Sequence, residues 1–150
     1  MIRDDIKQAL VDAMKAGDKA RTAALRLIQA AIKNRDIELR GGQAPADDDA
    51  VVTEVLQKMI KQRREAIELY RKGGRDELAD AEAAEVAVIE SFLPAQMDDA
   101  QIAATVEALV TEVGATSTKD MGRVMAALRE RHAGQLDMAK ASAAVKARLA

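Results

Sequence analysis

Residues 48–72 read DDAVVTEVLQKMIKQRREAIELYRK, and an all-α fold follows from their pattern. Val52, Val55, Leu56, Met59, Ala66, Ile67 and Tyr70 recur three and four residues apart and fall near one stripe of a helix. The opposite side carries Lys58, Lys61, Arg64, Glu65, Glu68 and Arg71, with opposite charges at the spacing that supports an isolated helix. Asp47, Asp48 and Asp49 stand at its start, where negative charge suits the helix dipole, and Gly73-Gly74 stops it. The period is helical and the segment is long, so the stretch predicts a helix over 48–72.

The same period extends in both directions. Toward the N-terminus, Ile2, Ile6, Leu10 and Met14 form one stripe, and Gly17 ends it. Asp18 then caps a second helix that faces inward with Ala24, Leu25, Ile28, Ala31 and Ile32 and runs to about Arg40. Gly41 to Asp49, with Pro45, reads as a solvated loop. Toward the C-terminus, Leu78, Ala81, Val88, Ile89 and Phe92 predict the inward face of a fourth helix over 75–92, barred from continuing by Pro94. Three shorter helices follow. Asp98 with Gln101 makes a capping box ahead of Ile102, Val106, Leu109, Val110 and Val113, and Gly114 closes that helix. Ser117 with Asp120 precedes Met121, Val124, Met125 and Leu128; Gly134 breaks again, and Asp137 caps a last helix with Met138, Ala141, Val145 and Leu149. The expected fold is all-α: a four-helix N-terminal domain over 1–93 and a three-helix C-terminal domain over 94–150.

Composition agrees. Hydrophobic residues are 49% and aromatic residues 1%, so the core is built from many small contributions and offers no aromatic stacking platform. The absence of Cys excludes disulfides, thiol catalysis and Cys-based zinc sites. The charged first residues are unlike a secretory leader, and no apolar run approaches the ~18 residues of a membrane span. Read this way, the chain is expected in the cytoplasm, away from membranes. The net charge of −2 is unevenly placed. Residues 1–40 carry +3, 41–97 carry −5, 98–118 carry −4 and 119–150 carry +4. The terminal basic block suits either a phosphate contact surface or an ordinary solvated helix face.

Gly17-Asp18-Lys19, Ala31-Ile32-Lys33-Asn34-Arg35, Lys61-Gln62-Arg63-Arg64-Glu65, Gly74-Arg75, Glu82 with Glu85, Phe92-Leu93-Pro94, Lys119 to Met125, and Gly134 with Asp137 share their order and spacing with a known family. On these residues the chain resembles the GatB/YqeY family from near its start to its end, in its stand-alone YqeY-type form. The resemblance implies an N-terminal helical domain and a small C-terminal domain similar to the tail of the B subunit of aspartyl/glutamyl-tRNA amidotransferase. In that enzyme the tail contacts tRNA, while kinase and transamidation chemistry lie in other domains. It therefore implies a tRNA-linked binding role, near an amidotransferase or an aminoacyl-tRNA synthetase. The label of a carbon–nitrogen ligase with glutamine as amido donor belongs to the larger enzyme. Gly122, Gly134, Asp137 and Pro94 are the structural positions of the motif. At the last turn the family reads Gly, a basic residue, a small residue, Asp; this chain has Gly134-Gln135-Leu136-Asp137, without the positive tip.

The candidate nucleic-acid contacts are Lys119, Arg123, Arg129, Arg131 and Lys140, with Lys146 and Arg148 beyond them. Phosphate binding needs several such groups on one face, because affinity sums over released counterions. Lys119 and Arg123 are spaced to share a face at a helix start. Lys61, Arg63 and Arg64 read as a solvated face pairing with Glu65 and Glu68. Glu82 and Glu85 lack the His three residues on that a di-iron bundle uses, and are expected to pair with Arg63 or Arg75. His132 stands in a last helical turn, where a cation favours the dipole. Ser91, Ser117 and Ser142 have no nucleophile context, and no phosphate-binding glycine loop is present. No metal, cofactor or catalytic constellation is implied. The alternative to RNA binding is a protein-interaction module using the Ala-rich helices or Leu136 at the tip of the last turn.

Overall fold

Alanine, leucine, glutamate, lysine and arginine lose little side-chain freedom in a helix, and the chain spends them accordingly. The computed structural model describes residues 1–42, 47–132 and 134–150. Pro45 and most of the loop expected around it lie outside the described residues. Among the described residues the elements are seven α-helices and one 3-10 turn: α1 Ile2–Lys15, α2 Lys19–Leu39, α3 Asp48–Lys72, α4 Asp76–Glu90, α5 Asp99–Val113, the turn Thr118–Asp120, α6 Met121–Arg131 and α7 Met138–Leu149. They form two units, Met1–Leu93 and Pro94–Ala150.

In the first unit, α1 and α2 form one hairpin and α3 and α4 another. Gly17 turns the first hairpin in the left-handed region, φ 70°, and the Asp18 carboxylate accepts the Arg21 N–H at the start of α2. Asp47 caps α3 through the N–H groups of Asp49 and Ala50. Ile6, Leu25, Ile28, Val52, Leu56 and Ile89 are fully buried, each worth ~1.5–3 kcal/mol of burial. The inward face of α4 differs from the sequence expectation. Leu78 is 44% exposed while Ala79 is fully buried, and Val86 and Ile89 share its face. A helix laid closely along α3 takes a methyl at the contact and leaves the larger side chain outside. Arg3 ties three elements of this unit together, reaching Asp36 of α2 at 2.8 Å and Asp48 of α3 at 2.9 Å.

In the second unit, Val106, Val124, Leu128, Leu136, Ala141 and Val145 form the fully buried centre between α5, α6 and α7. The capping box of Asp98 and Gln101 is formed in both directions, and Gly114 closes α5 at φ 69°. Asp137 caps α7 through Ala139 and Lys140 N–H. The turn between α6 and α7 is held by Met97, whose N–H donates to the Gln135 carbonyl at 2.9 Å, and by Gln96, whose side chain donates to the Gly134 carbonyl. Leu136 is only 1% exposed and belongs to the core. This corrects the reading of Leu136 as an apolar tip offered to a partner: the turn folds it into the core of the second unit.

Candidate nucleic-acid interface

The acidic stretch 98–118 and the basic block 119–150 fold onto one another. α5 carries the acids, and each is engaged. Lys140 of α7 reaches Asp99 at 3.2 Å, Arg148 of α7 forks onto Glu107 with both Nε and Nη2, and Arg131 at the end of α6 meets Glu112 at 2.5 Å. Asp98, the remaining acid of that stretch, is spent on the α5 cap. Hydrogen bonding from Arg148 and from Arg131 holds the carboxyls of Glu107 and Glu112 below the usual range, and raises both guanidinium groups.

Arg123 is committed closer to home. Its Nη2 donates to Asp120 at 2.8 Å and its Nη1 to the Val113 carbonyl at 3.3 Å, satisfying one of the orphan acceptors at the α5 terminus. The Asp120 carboxyl, which also accepts the Thr116 and Ser117 N–H groups, is lowered chiefly by the Thr116 bond and then by Arg123. Lys119 sits in the 3-10 turn that precedes α6. Lys119 and Arg123 are therefore not paired at a free helix start, because Arg123 folds back onto the turn. Lys119, Arg129 and Lys146 are exposed and have no ion-pair partner among the described residues. Of the five named contacts, Lys119 and Arg129 are thus free, whereas Arg123, Arg131 and Lys140 are paired. Over 94–150 the sequence holds seven basic and seven acidic side chains, so the unit has no net charge.

Gly122 lies in the first turn of α6 with open space around it, since a Cβ there would meet nothing within 4 Å. Gly134 is different, at φ 78° in the turn before α7. Pro94 is exposed at the start of the unit, its carbonyl accepting the Gln96 amide at 3.0 Å.

The remaining candidates are structural. Glu85 takes the Arg63 Nε at 2.8 Å and Glu82 lies at 3.9 Å from it, with the Arg63 side chain only 16% exposed. The two carboxylates clamp a cation between α3 and α4. Arg64 pairs with Glu90 at 2.7 Å, so the arginines of α3 bridge to α4 and not along their own helix to Glu65 and Glu68 as expected. His132 forms the α6 C-cap, its Nδ1 3.4 Å from the Gln135 side-chain oxygen. Among the described residues there is no group of three or more His, Asp or Glu side chains placed to hold a metal ion.

Sequence inspection of the terminal block missed a cationic face in the first unit. Lys19, Arg26 and Lys33 of α2 are exposed and free of ion pairs among the described residues. The signal was present in their spacing of seven.

A charge-neutral three-helix unit with self-paired arginines and a helical unit stapled by Arg3 and Arg63 make this an all-α protein. The chain matches the Yqey-like protein family over residues 3–149 and belongs to it. Among its relatives, "Altered inheritance of mitochondria protein 41, mitochondrial" of Eremothecium gossypii is 33% identical over 113 residues, covering 74% of this chain and 60% of that protein. The protein of the same name from Lachancea thermotolerans is 31% identical, with 73% and 58% covered, and that of Saccharomyces cerevisiae 28% identical, with 76% and 61% covered. The matched region spans about 60% of the length of these relatives.

The expectation of a cytoplasmic protein is overturned by these relatives, which are named as mitochondrial. It rested on the lack of a secretory-type leader and of an apolar span. No helix among the described residues is long and apolar enough to cross a membrane, but that property does not distinguish one aqueous compartment from another.

Proposed function

We propose that this protein is a non-catalytic, tRNA-binding accessory protein, related through its C-terminal unit to the tail of the tRNA-dependent amidotransferase B subunit. Its partners would be tRNA and an amidotransferase or aminoacyl-tRNA synthetase, and it would hold RNA by phosphate and shape. The carbon–nitrogen ligase label, with glutamine as amido donor, would then describe the larger enzyme and not this chain. The observation that carries the reading is the set of exposed cations on the terminal unit, with Lys119, Arg129 and Lys146 unpaired. The four other cations sit in solvent-exposed pairs, which water and salt screen, so phosphates can replace their carboxylates at small cost. Without aromatic side chains on this unit, base stacking has no platform, and backbone contact is what is left.

The balance of seven bases and seven acids over 94–150 favours a second reading, a helical protein-interaction module that binds no RNA. A gel-shift titration of the full chain against bulk tRNA separates them. Binding that weakens about tenfold when Lys119, Arg129 and Lys146 are all changed to Gln supports the first reading. Indifference to that change, with protein partners retained after nuclease treatment in an affinity capture, supports the second.

A further inference from the structure

Lys19, Arg26 and Lys33 are spaced by seven residues on α2, which puts successive charges about 10 Å apart and drifting only about 20° per step. They form one line along the solvent side of the helix. All three are exposed, and none meets a carboxylate within ion-pair distance among the described residues. Arg26 donates to the Met14 sulfur, at 3.7 Å. The two acids of α2 are spent elsewhere, Asp36 on Arg3 and Glu38 on Arg35. Between the cations along the line stand Ala23 and Ala30, both exposed, with the half-buried Thr22 and Gln29 on the other side, and Ile37 is exposed one turn beyond Lys33. A second observation lies at the far end of the line. Lys33 and Lys7 of α1 rim a cleft of about 200 Å³ over Ile6 and Ile32, with the Gln29 amide beside them and the Asp36 carboxylate in the same lining, neutralised there by Arg3. Lys7 is likewise exposed and unpaired.

We propose that the outer face of α2 is a docking surface for the phosphodiester backbone of RNA, with Lys19, Arg26 and Lys33 each neutralising a phosphate. Lys7 joins Lys33 where the line reaches the α1–α2 cleft. A line of equally spaced point charges fits a ligand whose own charge repeats, and a lone anion would use only one of them. An anionic bilayer is the weaker match, because a surface-lying helix sinks a bulky apolar face into the bilayer below its cations, whereas the apolar face of α2, Leu25, Ile28 and Ile32, is buried in the core of its own unit. The proposal rests on the RNA-binding reading above for its ligand class, but it uses a different unit, so the two can fail separately.

The test compares the full chain with two triple variants. One carries Lys19→Gln, Arg26→Gln and Lys33→Gln; the other carries Lys119→Gln, Arg129→Gln and Lys146→Gln. Each is titrated against labelled double-stranded RNA across salt concentrations, and against vesicles of phosphatidylserine in phosphatidylcholine. The α2 triple is expected to weaken RNA binding about tenfold or more and to flatten the log–log salt slope by about two to three, at ~0.7–0.9 per lost phosphate contact. Arg26→Lys keeps the charge and is expected to retain the wild-type slope. Loss confined to the α2 triple upholds this proposal and removes the C-terminal contacts. Loss confined to the C-terminal triple, unchanged binding in both, or binding to vesicles without binding to RNA overturns it.

Discussion

Arg148 of α7 lies against Glu107 of α5 at a sequence offset of 41, the same offset that joins Lys140 to Asp99. A repeated offset means that the two helices run parallel and in step, with the pairs about two turns apart. The basic helix and the acidic helix of this unit are thus each other's counter-charge. Releasing that charge should be visible. Changing Glu107 and Glu112 to Gln leaves Arg148 and Arg131 without partners, adds two net positive charges, and is expected to tighten tRNA binding and steepen its salt dependence by about one to two. Unchanged affinity in a filter-binding assay would mean that these arginines never meet phosphate.

Acid should act through the same carboxylates. Glu107, Glu112 and Asp120 are depressed in the folded chain, so their contribution to stability is complete above the ordinary carboxylate values and is lost as pH falls through the still lower folded ones. Stability measured by urea titration should therefore hold from neutrality down to about pH 4.5, the ordinary value of a glutamate, and fall below it. The Gln double variant should show a shallower fall. A wild-type stability that rises on acidification below pH 4.5 contradicts the pairing.

Arg3 closes the first unit by holding Asp36 and Asp48 from two different helices, and its hydrogen bonds draw the Asp36 carboxyl down. Arg3→Ala removes both partners at once and leaves the two carboxylates facing each other. A loss of about 1–2 kcal/mol in denaturant unfolding is expected, since forked arginine pairs are stronger than single ones even when partly exposed. A change below a few tenths would show that the clamp is ornamental.

The two motif glycines should behave oppositely. Gly122 sits in α6 with free space around its α-carbon, so Gly122→Ala is expected to raise stability by about 0.5 kcal/mol. Gly134 holds φ 78°, where a Cβ is strained, and Gly134→Ala is expected to cost about 1–2 kcal/mol. Thermal unfolding of both variants checks the pair; equal effects contradict the assignment.

Leu136 offers a check of the core. Because the side chain is 1% exposed within the core of the second unit, Leu136→Ala is expected to cost about 2–5 kcal/mol. A near-neutral result would return the residue to the surface.

Much of this architecture was legible from residue types alone. Periodicity placed α3 at its observed bounds, and short side chains with a free oxygen marked the caps at Asp18, Asp98 and Asp137. These are local effects, settled within one or two turns. What the sequence hid was tertiary. Arg131 and Glu112 are 19 residues apart and Arg148 and Glu107 are 41 apart, so no helical spacing could announce that the basic block would be answered by the acidic one. The reversal at α4 has the same origin: hydrophobic size favoured Leu78, but close approach of α3 favoured Ala79. The α2 cations were a different case. Lys19, Arg26 and Lys33 stand in the sequence at heptad spacing, but that the two acids of α2 pair elsewhere, Asp36 with Arg3 and Glu38 with Arg35, is shown by the fold.

Fluorescence anisotropy of labelled tRNA, titrated with the full chain from low to physiological salt, should show saturable binding at low salt, with log affinity falling linearly against log salt concentration. A flat signal at the lowest salt would contradict RNA binding and leave a helical protein whose charges serve only to hold its own helices together.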